Sequence, residues 1–137
     1  MSRIGVAVGG NKVQDIQATI QRAEELGVDA AWMTTGGARL DSLTVFAAAA
    51  GSTQKIKLGT SIVPTFPRHP LVVAQQVQVL AQLAPGRLRL GLGPSHRPTM
   101  KSMGIRMQSP LGHLRDYLRI VKSLLQEGKV DFDGEYY

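Results

Sequence analysis

No cysteine occurs anywhere in the sequence, which excludes disulfides, thiolate metal sites and a cysteine nucleophile. Histidine is nearly as scarce. The three present, His69, His96 and His113, are too dispersed for any standard zinc spacing, so no metal site is expected. Aromatic residues make up only 5%, and the 16 Lys and Arg stand singly or in short pairs. The formal net charge of +6 therefore comes without the basic run and interleaved aromatics of a nucleic-acid-binding surface. Long apolar runs are also missing: Val45 to Ala50 falls far short of the roughly 18 residues a membrane span needs. Met1-Ser2-Arg3 leads directly into a short strand rather than an apolar signal segment. These absences predict a cytoplasmic protein with no nucleic-acid or membrane partner. What is present is ordinary globular composition, 43% hydrophobic and 19% charged over 137 residues, enough for one domain with a real core.

Arg3 to Val8, closed by Gly9-Gly10, reads as a buried strand and a tight turn. Val13, Ile16, Ile20 and Ala23 follow at helical spacing, with Gly27 placed to end that helix. Val28 to Thr34 is the second expected strand, with Trp32 expected in the core. Asp41-Ser42 predicts the cap of a helix carrying Leu43, Phe46, Ala47 and Ala50. Ile56 to Ile62 is the third strand, Leu71 to Leu83 the next helix, and Arg87 to Leu92 the fourth strand after the Pro85-Gly86 break. A long loop rich in turn residues (Pro94, Ser95, Pro98, Gly104, Ser109, Pro110) leads to a last helix. Leu111, Leu114, Leu118, Val121 and Leu125 form its expected apolar stripe, Gly128 ends it, and His113 is expected at its solvated surface. Residues 130–137 read as a turn-containing extended segment.

Strands and helices alternate with strand starts roughly 30 residues apart, the length of a βαβ unit, and such crossovers require parallel strands. Two architectures satisfy the pattern: an open doubly wound sheet, or half of an eight-stranded β/α barrel. Gly91 and Gly93 follow the fourth strand and enter a loop, whereas a dinucleotide-binding fingerprint follows the first strand and enters a helix. A nucleotide-binding fold is not the better reading.

Leu58-Gly59-Thr60-Ser61-Ile62-Val63-Pro64, followed by Arg68-His69-Pro70, resembles the third strand and turn of luciferase-like monooxygenases. Pro85-Gly86-Arg87-Leu88-Arg89-Leu90-Gly91-Leu92-Gly93 matches next, in that family's order and distance. Ala23-Glu24-Glu25-Leu26-Gly27-Val28-Asp29-Ala30-Ala31-Trp32 and Phe132-Asp133-Gly134-Glu135-Tyr136-Tyr137 also fit. Pro94-Ser95-His96-Arg97-Pro98 is similar to the branch that uses coenzyme F420, a deazaflavin, in place of FMN. The resemblance covers essentially the whole chain.

It implies an α/β fold of the (β/α)8 TIM-barrel type, of which residues 1–137 supply the first four βα units, the N-terminal half of the barrel domain. Active sites of such barrels lie at the C-terminal ends of the strands. Val8-Gly9-Gly10, Thr34-Thr35-Gly36, Ser61-Ile62 and Gly93-Pro94-Ser95-His96 occupy that rim. Gly9, Thr34, Thr35, Ser61, Ile62, Gly93 and Ser95 are the implied cofactor-binding residues. A cis peptide at Ser61–Ile62 would form the bulge behind the deazaflavin ring. His96 is the implied catalytic residue, since a histidine can take or give a proton near neutral pH as hydride moves. Some relatives carry Asp or His where Thr34 and Thr35 stand.

The implied activity is hydride transfer between F420 and a small organic substrate. The alternatives are an FMN-dependent monooxygenase of the same family and a non-catalytic flavin-binding or structural half barrel. The family's phosphate-binding loops come from later strands. A half barrel is expected to expose two strand edges and an apolar inner face, so the expectation is a portion of a longer enzyme or self-pairing half barrels. The resemblance also implies a homodimer through helices two and three, with Ala47 to Ala50 at that contact.

Overall fold

The period read from the sequence becomes a parallel sheet with helices on one side in the computed structural model, which describes residues 3–137. Met1 and Ser2, part of the expected leader-free start, lie outside the described residues. In chain order the elements are β1 (Gly5–Ala7), α1 (Val13–Glu25), β2 (Ala30–Met33), α2 (Ser42–Ala50), β3 (Lys57–Thr60), β4 (Val63–Pro64), α3 (Pro70–Leu83), β5 (Leu88–Arg89), β6 (Leu92–Gly93), α4 (Arg97–Ser102) and α5 (Pro110–Glu127). The main sheet runs β1-β2-β3-β5, all parallel, and β4 pairs in parallel with β6.

The third and fourth expected strands are each split in two. Thr60 explains the break: its Oγ1 accepts from Gly91 N–H (2.8 Å) and donates to Gly91 O (2.9 Å), so a side chain takes over where ladder bonds would run. Position 91 must be glycine, because a Cβ there would overlap the Thr60 carbonyl oxygen. The expected long loop contains α4. Pro98 reads as a turn residue, yet it sits in the first turn of α4, where a proline costs no hydrogen bond.

Period-2 alternation assigns the two sheet faces. Ala31, Met33 and Leu58 point to the helices and are buried with Ile16, Ile20, Phe46, Val73 and Leu80. Trp32 points the other way, correcting its expected place in the core. It is 36% exposed and lies across Gly5 and Gly59, where a Cβ on Gly59 would overlap the indole. Lys57 and Arg89 share that side of the sheet, lining a hollow with Trp32. The inner face is therefore small residues, one indole and cations, not the apolar surface expected.

The buried face of α5 is also turned from the expected stripe. Leu111, Leu118 and Leu125 are exposed, while His113, Asp116, Tyr117, Ile120 and Val121 are buried. The reason is pairing that hydropathy does not register. His113, expected at the surface, is 6% exposed and stacks on Phe66 with ring centroids 3.8 Å apart. Tyr117 donates its hydroxyl to Arg68 O (2.8 Å). Tyr136 and Tyr137 fold back from the C-terminal segment onto the same rings. Burial pushes the Tyr117 hydroxyl well above the ordinary tyrosine value and Tyr137 up to about 12. Of the alanine run in α2, Ala49 and Ala50 are spent in the core and only Ala47 and Ala48 reach toward the outside.

Candidate functional site

Three chain breaks meet at the C-terminal rim of the sheet: the end of β2, the Ser61–Ile62 step between β3 and β4, and the turn after β6. Together they line a cleft of about 760 Å³. Thr34, Thr35, Ser61, Ile62, Gly93, Ser95 and His96, seven of the residues singled out from sequence, are all in its lining. Gly9 lies at the end of β1 and does not line it. Gly37, Arg39 and Thr99 also line the cleft and were missed. The available signal was position: Gly37 and Arg39 lie in the βα loop between β2 and the α2 cap, where rim residues belong.

Ser61–Ile62 is a cis peptide, as the resemblance implies. The end of β2 holds both of its residues. Ser61 N–H donates to Met33 O (2.9 Å), Thr34 Oγ1 donates to Ser61 O (2.9 Å), and Thr35 N–H donates to Ile62 O (3.2 Å). The Thr34 hydroxyl proton is thereby committed to the backbone, leaving lone pairs to face a ligand. Thr35 is turned toward α2: its hydroxyl accepts from Ser42 N–H (3.1 Å) and is hydrogen-bonded to the Ser42 hydroxyl. On the opposite wall, Val63 N–H and Thr65 N–H donate to Gly91 O and Gly93 O (2.9 Å each). The Ile62 side chain spreads over those glycines, and a Cβ on Gly93 would sit 3.4 Å from its Cγ1. The wall is therefore flat and apolar between polar backbone groups.

Ser95 adopts φ +64° at the turn into α4, and exposed His96 stands at the residue before the helix, in the cleft lining, with its side chain making no capping bond. The guanidinium of Arg97 is directed away, donating to Met107 O (3.0 Å). Arg39 brings a cation to the mouth. Behind it, Asp41 caps α2 by accepting from Thr44 N–H (2.9 Å) and pairs with Arg68 at 2.7 Å. Arg68 also reaches Gln76 on α3, so it ties the loop before α2 to the start of α3. Partial burial raises the Asp41 pKa, but the hydrogen bonds from Arg68 and Thr44 outweigh it and hold the carboxyl below its ordinary range. His69 accepts from Leu71 N–H at the start of α3 and faces Tyr137 rather than the cleft. Among the described residues no cluster of three metal-ligating side chains occurs.

The sequence profile of the luciferase-like monooxygenase family matches residues 1–137. The chain is 36% identical over 129 residues to an F420-dependent glucose-6-phosphate dehydrogenase of Nocardia farcinica, covering 84% of this chain and 38% of that protein. It is 31% identical over 113 residues to a 5,10-methylenetetrahydromethanopterin reductase of Methanolobus tindarius, covering 82% and 35%. Among solved structures, the coenzyme F420-dependent tetrahydromethanopterin reductase from Methanopyrus kandleri superposes with a TM-score of 0.84 at 27% identity, covering 97% of this chain and 42% of that one. The chain thus spans about two fifths of the length of these relatives, and its parallel α/β architecture is that of TIM-barrel luciferase-like enzymes. On its whole length, the chain belongs to the luciferase-like monooxygenase family.

Proposed function

We propose that this chain forms the N-terminal wall of an oxidoreductase that transfers hydride between coenzyme F420 and a small organic substrate. The observation that carries this reading is the convergence of the Ser61–Ile62 step, the Gly93-Pro94-Ser95 turn and His96 on one cleft, in a chain whose relatives are named as F420-dependent enzymes.

The cleft fits a flat tricyclic ring on three counts. Its volume, about 760 Å³, lies within the range of small-molecule sites. Glycine at 91 and 93 leaves the Ile62 side chain as an unobstructed apolar surface. Polar backbone and the Thr34 lone pairs border that surface. When bound, the deazaflavin supplies a ring carbon that accepts or donates hydride. Ile62 and Gly93 would back the ring, Thr34 and Ser61 would meet its polar edge, and Ser95 would position His96. His96 would hold or release the proton that accompanies the hydride at its imidazole nitrogen. Arg39 at the mouth favours an anionic group on the ligand.

The same reading takes the enzyme to be cytoplasmic and homodimeric. No helix among the described residues is long and apolar enough to cross a membrane. Val72, Val79 and Leu83 are exposed on α3 at helical spacing. A shallow groove of Leu43, Thr44, Ala47, Gln76 and Val79 runs between α2 and α3, the surface that would meet a second copy.

Titration with F420 and with FMN, followed by fluorescence, tests the cofactor. Preferential F420 binding is expected. Preference for FMN would move the reading to a monooxygenase, and binding of neither by folded protein would leave a structural half barrel. His96→Gln should retain F420 binding while the pH profile of turnover in the whole enzyme loses its basic or acidic limb. An unchanged profile removes His96 from the chemistry.

A further inference from the structure

Acidic residues are missing from the middle of the chain. No Asp or Glu stands between Asp41 and Asp116, and those two are already paired, Asp41 with Arg68 at 2.7 Å and Asp116 with Arg115 at 3.1 Å. Three of the cations in between meet at one place. Arg97, Lys101 and Arg106 line a hollow of about 720 Å³ together with Pro98, Ile105 and Met107. No carboxylate lines it, and none of the three cations forms an ion pair among the described residues.

The hollow and the cleft share no lining residue. His96 and Thr99 face the cleft, whereas Arg97 and Lys101, four residues apart, share the opposite side of α4. Local structure holds this partition. Met100 is fully buried; its N–H donates to His96 O and its carbonyl accepts from Ile105 N–H (3.0 Å each). Gly104, at φ +71°, reverses the chain after the helix. The Arg97 guanidinium then closes the loop on Met107 O (3.0 Å), a bond that uses one of its five donors.

Like charges around a concavity repel one another, and a bound anion relieves that repulsion. Guanidinium forks match phosphate oxygens, and a lysine adds a point charge beside them. Three cations suit a polyvalent anion better than a single carboxylate, while Pro98, Ile105 and Met107 offer apolar contact to an organic body. We propose that this hollow is a second binding site, for a phosphate or diphosphate ester with an apolar body, and that it fills independently of the cleft. It stands whether or not the cleft takes F420.

The probe is inorganic pyrophosphate, titrated calorimetrically into the whole enzyme at low ionic strength. Binding should saturate at one pyrophosphate per chain, weaken with added salt and slow hydrogen exchange within residues 97–107. Lys101→Gln/Arg106→Gln changes two exposed side chains and should cut the affinity by about tenfold or more. Lys122→Gln removes an exposed cation on α5 and should leave it unchanged. Circular dichroism checks folding, and where the double variant unfolds each single variant serves. Saturating the enzyme with F420, or with FMN where that is what it binds, should leave the pyrophosphate affinity as it was. Absence of saturable binding, an equal loss in Lys122→Gln, or displacement of pyrophosphate by the cleft ligand overturns the proposal.

Discussion

Thr34 Oγ1 donates to the carbonyl oxygen of Ser61 across 2.9 Å, linking the residue just past β2 to the residue just past β3. The next residue repeats the link through its backbone, Thr35 N–H to Ile62 O at 3.2 Å. Two successive residues of one rim loop thus fix both carbonyls of the Ser61–Ile62 unit, and the orientation of the cleft wall depends on them.

Replacing Thr34 with the isosteric Val removes one neutral hydrogen bond, a net effect of about 1 kcal/mol, or about fivefold in an equilibrium constant. The bond lies at an exposed rim, so water replaces it and the melting temperature should hardly move. On the proposed function, F420 affinity should fall about fivefold, because the carbonyl it orients would border the ring. Titration of the variant beside a thermal melt checks both, and an unaltered affinity would show that the link is only local.

Asp41 and Arg68 carry a second prediction. Asp41→Asn keeps a capping oxygen for Thr44 N–H but loses the charged bond to Arg68. Asp41→Ala loses both, at a cost of about 1–2 kcal/mol. The Asp41 pKa is lowered in the folded chain, so the unfolded chain takes up the proton first as pH falls. Its contribution is complete above the ordinary value of 3.8 and is lost as pH drops from there through the folded value. Chemical denaturation across acidic pH should show a shallower decline for Asp41→Asn than for the parent chain.

Gly91→Ala addresses the split strands. The added methyl would overlap the Thr60 carbonyl oxygen, a backbone atom with no rotamer to escape into. Overpacking of this kind costs about 1–3 kcal/mol, and the loss should be accompanied by weaker cofactor binding because Gly91 O anchors Val63 at the cleft wall. Gly93→Ala has 3.4 Å to Ile62 Cγ1 and should be milder in denaturant melts. Equal losses at the two positions would contradict this ordering.

The alternation of strands and helices was legible because short apolar runs alternate with helical stripes and are set off by Gly and Pro breaks. The cleft was legible through resemblance: Ser61, Ile62, Gly93, Ser95 and His96 could be located before any contact was known. Trp32 was misplaced because period 2 separates the faces of β2 without saying which one meets helices. The face of α5 was misjudged because His113 and Tyr117 are buried by partners, Phe66 and Arg68 O, about 50 residues away in the chain. Arg39 left no mark of its own, since a lone cation between Ala38 and Leu40 resembles any solvated loop residue. Long-range pairing of polar groups is what a one-dimensional pattern does not encode.

His113 gives the most direct test of that pairing. Burial lowers its pKa below the ordinary value of 6.5, with the Thr65 backbone and the Asp116 carboxylate only partly offsetting it. Its Nε2 is buried without a partner among the described residues, so the ring is held neutral against Phe66. As pH falls below 6.5 the unfolded chain binds the proton before the folded one, and folding stability declines until the folded value is passed. The stabilising contribution is therefore full above pH 6.5 and is lost through the mildly acidic range. His113→Phe keeps a ring to stack on Phe66 and removes the titration. Thermal melts from about pH 5 to about pH 7.5 should slope for the parent chain and lie flatter for His113→Phe. Parallel slopes would place the acid sensitivity in other groups.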